Sequence, residues 1–417
     1  MSWKHRYSVL GIMLAAYHIC YIDRMVMASA IPFIAKDLNL SPVEMGQVLS
    51  AFFLGYAVMQ IPGGLLADRF GARVVLTITI AAWSIMTALT GIAWGLAALL
   101  VIRVLFGLAE GPFPCAISKA IAQWFPPREL SRATGLVVAA GVLGSSVAPV
   151  LVVAVILNWG WRSVFYALLL PGVLLALVVW RYVRNSPAES PRVPALELRD
   201  YDSSPPSQQL SLKATLQQSV RTPAVLWCGA TFFFLAMTNW GLMSWLPTYL
   251  LQARGFSAEK MGYSASLVHL AGAVGFALGG YICDKYFRHN MRLLIVSAAA
   301  VCASLNFLGA TASSGELAVA CIATAFLVSG FAVTPVLTLP LVLVPKHAVG
   351  SALGIVNTAG QSAGFVAPLF MGYVLKATDG NFPLVIYCLV ACTLTAILPA
   401  LRLRPVPGRP VLAGSQA

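Results

Sequence analysis

The chain has 417 residues, 59% hydrophobic and only 10% charged, with a mean hydropathy of +0.83. Soluble domains carry about 25% charged residues, so a soluble enzyme is excluded. The net charge of +13 is no sign of a nucleic-acid partner, because the basic residues gather at the ends of apolar runs, where they mark membrane topology.

A membrane-spanning helix needs about 20 apolar residues. Twelve such runs can be marked, at 7–35, 43–67, 74–93, 96–123, 131–157, 161–183, 221–253, 257–283, 291–312, 316–344, 348–375 and 381–403. The expected fold is an all-α membrane protein whose twelve transmembrane helices form two pseudo-symmetric halves of six. The halves are 1–183 and 221–403, with a cytoplasmic linker at 184–220 and a tail at 404–417. Lys4, Arg6, Arg69, Arg73, Arg128, Arg132, Lys285, Arg288 and Arg292 fall on one side. The positive-inside rule makes that side cytoplasmic, with both termini. The first run is too long for the apolar part of a signal peptide and carries charges at its centre. The eight cysteines lie in apolar runs without metal spacing or a disulfide framework, so they read as small core residues and no metal site is expected.

In chain order, the first run holds Tyr21, Asp23 and Arg24 at mid-membrane depth. Each charge costs on the order of 2.5–3.5 kcal/mol there, so such residues pair, and they mark functional paths. Adjacency pairs Asp23 with Arg24 and predicts that Asp23 stays ionised. The second run places Phe52, Tyr56 and Gln60 on one helix face by their i, i+4, i+8 spacing. It ends in Gly63-Gly64-Leu65-Leu66-Ala67-Asp68-Arg69-Phe70-Gly71-Ala72-Arg73. Asp68 at that helix junction can reach a neighbouring helix end or an Arg, and breaking the contact would release two packed helices. The third run is nearly featureless apart from Trp83 and Trp94. The fourth carries Arg103 and Glu110, two turns or about 10 Å apart on one face. Apolar neighbours make Glu110 the easier acid to protonate. Pro112 and Pro114 bend the helix next, and Lys119 is placed to snorkel toward the cytoplasmic end.

The second half repeats the first. Gly63-Gly64 with Asp68-Arg69 recurs as Gly279-Gly280 with Asp284-Lys285, an offset of 216 (279 − 63). A parallel repeat is the arrangement of transporters with a midplane site between two halves. The same offset carries Asp23 and Arg24 onto Asn239 and Trp240, so the seventh run offers neutral polar and aromatic groups instead of charges. Asn357 and Gln361 share a face at i, i+4. His269 reads as a packing histidine, and single Ser and Thr residues as groups that bond their own helix.

The motif Gly64-x3-Asp68-Arg69-x-Gly71-x-Arg73 resembles the major facilitator superfamily signature. A narrower resemblance is to the anion:cation symporter family, carried by Tyr21-Ile22-Asp23-Arg24, Tyr56 with Met59-Gln60-Ile61-Pro62-Gly63-Gly64, Arg103-x3-Gly107-x2-Glu110-Gly111, Trp124-Phe125-Pro126 and Trp245-Leu246-Pro247-x-Tyr249-Leu250. This resemblance implies a proton-coupled symporter for a small organic anion, such as a hexonate or hexuronate, working by alternating access. It implies that Asp23 and Glu110 titrate and that Arg24 or Arg103 meets the substrate carboxylate. Tyr21, Tyr56, Gln60, Asn239 and Asn357 are candidates for the remaining substrate contacts, and Asp68, Arg69, Arg73 and Asp284 for the gate. The expected setting is a bacterial inner membrane, as a monomer, with protons as coupling ion and no other cofactor. The alternatives are an aromatic or dicarboxylic acid as substrate, or a drug/proton antiporter, against which two midplane arginines argue. No nucleophile elbow, metal-ligand pair or phosphate loop suggests an enzyme.

Overall fold

The computed structural model describes residues 5–193, 217–287, 289–345 and 349–403. The predicted linker falls largely, and the tail wholly, outside the described residues, as do Lys4 and Arg288. Thirteen α-helices are named here: α1 (His5–Leu38), α2 (Pro42–Thr90), α3 (Leu96–Glu110), α4 (Phe113–Trp124), α5 (Pro127–Trp159), α6 (Trp161–Tyr182), α7 (Pro223–Thr248), α8 (Ala258–Tyr286), α9 (Met291–Thr311), α10 (Gly315–Leu343), α11 (Val349–Ala377), α12 (Phe382–Thr395) and α13 (Ile397–Leu401).

Ten described segments are long and apolar enough to cross a membrane. One of them, α2, holds two of the expected spans; α11 has the length for a further one, at 29 residues, but is less apolar than the ten. The protein is therefore an all-α, multi-pass membrane protein. The 49 residues of α2 would measure about 74 Å if straight, more than twice the hydrocarbon thickness. Gly71 resolves this with φ 82° and ψ 158°, a conformation that an L side chain rarely adopts, so the chain reverses there. The start of α2 is set by a capping box, in which Ser41 N donates to Glu44 Oε2 at 2.7 Å and Ser41 accepts from the Glu44 N–H. The fourth span breaks at Gly111-Pro112 as the prolines predict, which leaves Glu110 at the end of α3.

Close approach of α2 to α3 depends on glycine. A Cβ on Gly107 would strike the Phe52 carbonyl, and one on Gly55 the Val104 carbonyl. A third contact of this kind has a counterpart in the repeat. Gly63 lies against Pro112, and its repeat partner Gly279 lies against the Gly330 carbonyl of α10.

Packing differs between the two faces of the membrane. Toward the termini, residues 5–193 and residues 217–403 have separate cores, one from Val9 to Val193 and one from Val225 to Leu403. On the opposite face a single core joins Ile22–Ala35 of α1, the start of α2 and the end of α5 to α7, α8, α10, α11 and α12. The seams there are α2 on α11, α5 on α8 and α1 on α7. The stretch after α6, the first part of the predicted linker, is not free. Trp124 Nε1 donates to the Arg184 carbonyl at 2.8 Å, and Val183 and Val193 are buried in the first core.

Candidate functional site

Four charged side chains are buried at mid-membrane, all from the first six spans: Asp23, Arg24, Arg103 and Glu110. Their pairing differs from the one that adjacency predicts. Neighbouring helical residues point about 100° apart, so Asp23 and Arg24 leave α1 in different directions. Arg24 turns to α3, where Nε donates to Glu110 Oε1 at 3.1 Å and Nη2 forms a salt bridge with the same oxygen. Glu110 Oε2 is buried and accepts no hydrogen bond. Phe52, Tyr56 and Tyr21 surround the Arg24 guanidinium at 5.0, 4.8 and 5.1 Å from their ring centres, a cation–π cage.

Asp23 points instead into the first core. Trp83 Nε1 donates to its Oδ2 at 3.0 Å, and the Thr87 side chain lies beside the carboxylate. Trp83 is wholly buried and meets Phe113 edge-on at 4.9 Å, so the indole is fixed. The expectation that Arg24 keeps Asp23 ionised is thus corrected: the acid beside Arg24 in space is Glu110.

Arg103 is 2% exposed and makes no hydrogen bond or ion pair with any described residue; its Nε is buried and bare. Its one close ring is Phe106 at 4.5 Å. Glu110 and Asp23 act on it only through space, and a buried cation that no carboxylate touches is costly. Arg103 lines a cavity of about 30 Å³ with Arg24 and the apolar side chains of α1 and α2, closed on the far side by Trp240, Met243 and Ser244 of α7. That space admits about one water. Trp240 also meets Phe53, another lining residue, edge-on at 4.8 Å, which joins the two stretches at the cavity wall.

The neutral candidates separate. Tyr21 and Tyr56 stand at Arg24, while Gln60 only reaches the Gly111 carbonyl, at 3.5 Å. Asn239 donates to Leu235 of its own helix and accepts from Ser329 of α10 at 3.1 Å. Asn357 is exposed and makes no hydrogen bond with a described residue, whereas Gln361, one turn on, has a buried and bare Oε1. His269 is buried, with its ring beside the Ala265 backbone of its own helix. Ser329, Thr334, Thr338 and Ser362 do bond their own helices, but Thr238 bonds across to Leu389 and Thr393 of α12.

Among the candidate gate residues, Asp68 pairs with Lys119 and not with an Arg. Lys119 Nζ donates to Asp68 Oδ1 and to the Ala67 carbonyl, both at 2.9 Å, which ties α4 to the end of the second span. The Lys119 ammonium thus ends at the exposed Asp68 carboxylate, toward the end of the span to which it is placed to snorkel. Arg73 donates to the Trp180 carbonyl at 2.9 Å and stacks on that ring, and its N–H meets Asn185 at 3.0 Å. Arg69 lies over Phe70, and Asp284 is exposed without a partner among the described residues. Three contributors have no forecast from sequence: Trp83, Lys119 as a gate partner, and Cys20, whose thiol lies 3.4 Å from Glu110 Oε1.

This is the architecture of a secondary transporter, with midplane charges between two sets of helices that are separate on one face and fused on the other. Residues 13–368 match the profile of the Major Facilitator Superfamily, and the chain belongs to that family. It is a transporter and not an enzyme. The chain is 32% identical over 91% of its length to a probable sulfoacetate transporter, SauU, of Cupriavidus necator, 90% of which is covered. It is 30% identical over 89% of its length to a probable galactarate/D-glucarate transporter, GarP, of Escherichia coli K12, covering 88% of that protein. A hexuronate transporter of Bacillus subtilis is 27% identical across 100% of this chain and 99% of its own. Among solved structures, a bacterial homologue of the human lysosomal transporter Spinster, in an inward-facing and unoccupied conformation, superimposes with a TM-score of 0.82. It is 19% identical and covers 98% of this chain and 100% of that one, a likeness of fold.

Proposed function

We propose that the protein is a proton-coupled symporter that imports a small organic anion across a bacterial inner membrane. It would work as a monomer, with both termini cytoplasmic and protons as the coupling ion. The observation that carries this reading is Arg103, a buried guanidinium that makes no hydrogen bond or ion pair with a described residue, facing the cavity beside the Arg24–Glu110 pair. An anion is the charge that relieves Arg103, and a planar guanidinium binds a carboxylate in two places. The same two arginines disfavour a drug cation.

The mechanism follows from the sharing of Arg24. An entering carboxylate binds Arg103 and competes with Glu110 for Arg24. Losing Arg24 leaves Glu110 a buried, uncompensated charge, and a proton resolves that most cheaply. Substrate and proton are thereby taken up together. Asp23, held by Trp83 away from the cavity, is the acid of the conformational switch. Rocking of residues 1–183 against 221–403 exchanges access between the faces, and the separate cores toward the termini support reading the described state as open on the side of the termini.

Within organic anions, the relatives favour a sugar acid such as a hexonate or hexuronate. A second reading, a short dicarboxylate or an aromatic acid, is favoured by one observation: the cavity is lined by Met25, Met27, Phe52, Phe53, Trp240 and Met243, with Ser244 as its one hydroxyl. Uptake into proteoliposomes with an imposed pH gradient tests the coupling. Acid outside should drive labelled anion above equilibrium, and equal uptake with and without the gradient contradicts symport. Competition by hexonates against short diacids and aromatic acids separates the two substrate readings.

A further inference from the structure

Cys20 precedes Arg24 by one turn of α1, so the two side chains leave the helix on one face. An apolar span commonly uses cysteine as a small hydrophobe, and burial at 2% exposure fits that use. Its surroundings do not. Sγ lies 3.4 Å from Glu110 Oε1, with the S–H donating to the carboxylate. Arg24 Nε and Nη2 donate to that same oxygen. Three donors therefore converge on Oε1, while Oε2, equally buried, receives none.

That asymmetry has a consequence once Arg24 is drawn to a substrate. The thiol is then the one donor left on Oε1, and the carboxyl keeps its orientation instead of rotating. We infer that Cys20 is a positioning residue for the coupling carboxylate: it anchors Oε1, so that Oε2 is the oxygen that takes up and gives back the proton. The step involves no redox change. One O–H bond forms at Oε2 as the proton arrives and breaks as it leaves, and the S–H bond stays intact. The transport consequence rests on the proton-coupled reading above, whereas the hydrogen bond can be observed without it. The ionisable groups that face Glu110 are Asp23, Arg24 and Tyr21 on α1, Tyr56 on α2 and Arg103 on α3, and each remains in the Cys20 variants below.

The test is infrared difference spectroscopy on the purified full-length protein, with exchange of labelled anion measured on the same variants. The S–H stretch that disappears in Cys20→Ala should be that of a bonded thiol, and it should move to the free-thiol position in Glu110→Ala. The carboxylate band lost in Glu110→Gln should shift in frequency in Cys20→Ala, because one weak donor leaves Oε1. Cys20→Ser, which keeps a donor, should restore the wild-type frequency. Should Cys20→Ala fail to fold, Cys20→Val gives the same reading without a donor. An S–H band indifferent to Glu110→Ala, or a carboxylate band that does not move in the donor-free variants, overturns the inference. Its failure is separable from that of symport. A moved carboxylate band beside pH-insensitive exchange supports the placement of Cys20 and refutes proton coupling; an unmoved band beside pH-dependent exchange refutes the role of Cys20 alone.

Discussion

Gly63 and Gly279 hold matching places, each pressed against the helix that crosses it, and each precedes an Asp by five residues. The first of those acids, Asp68, is tied to Lys119 across a helix junction; the second, Asp284, is exposed without a partner among the described residues. At the midplane the contrast is the same. Residues 5–193 bury Asp23, Arg24, Arg103 and Glu110 there, while residues 217–403 present Asn239, Ser244, Ser329 and His269, with no buried Lys, Arg, Asp or Glu among the described residues. One backbone plan therefore carries two loads. On the proposed function, the first stretch reads charge and the second supplies neutral walls, so that substrate charge and substrate shape would be set by different parts of the chain.

The largest effect expected from breaking this contrast is at Arg103. Arg103→Ala should weaken anion binding by about 100-fold or more, since a bidentate pair loses two charge-assisted bonds of about 1.5–3 kcal/mol each. Arg103→Lys should recover little of it, because a point charge does not copy the planar fork. Calorimetric titration of the purified protein checks both, and near wild-type affinity in Arg103→Ala would remove this residue from the site. Next comes Trp83→Phe, which keeps the ring against Phe113 and deletes the hydrogen bond to Asp23. A lost bond to a buried carboxylate is worth about 1.5–3 kcal/mol, so exchange should fall about tenfold or more, with substrate affinity unchanged. Loss of affinity instead would place Asp23 in the binding site.

Smaller effects are expected at the gate. Lys119 and Asp68 are 24% and 76% exposed at the side chain, and exposed pairs contribute up to about 1 kcal/mol. Asp68→Asn should therefore slow exchange about fivefold at most and leave binding intact. Asp284→Asn should change exchange by less than about twofold, since it breaks no contact. Equal effects at Asp68 and Asp284 would erase the asymmetry between the two stretches.

Much of the fold was legible because the membrane allows so few spanning structures that apolar length nearly dictates it. The four midplane charges were legible for the same reason: each is expensive where it lies. Their pairing was not. Asp23-Arg24 looks like a pair along the chain, yet helical geometry separates the two side chains, and the partner of Arg24 comes from a helix 86 residues away. Trp83 sends no signal from an apolar run, since indole belongs there whether or not its N–H is used. Cys20 carried half a signal: its i, i+4 spacing to Arg24 fixes the shared face, but the approach of Glu110 depends on how α1 meets α3.

The central claim is that Glu110 and the substrate compete for Arg24, so that binding itself takes up a proton. Mixing purified protein with its anion in weakly buffered solution and following pH measures this directly. Wild-type protein should draw protons from solution as substrate binds, and Glu110→Gln should bind substrate without drawing any. Undiminished proton uptake in Glu110→Gln would contradict the account and move the coupling to Asp23.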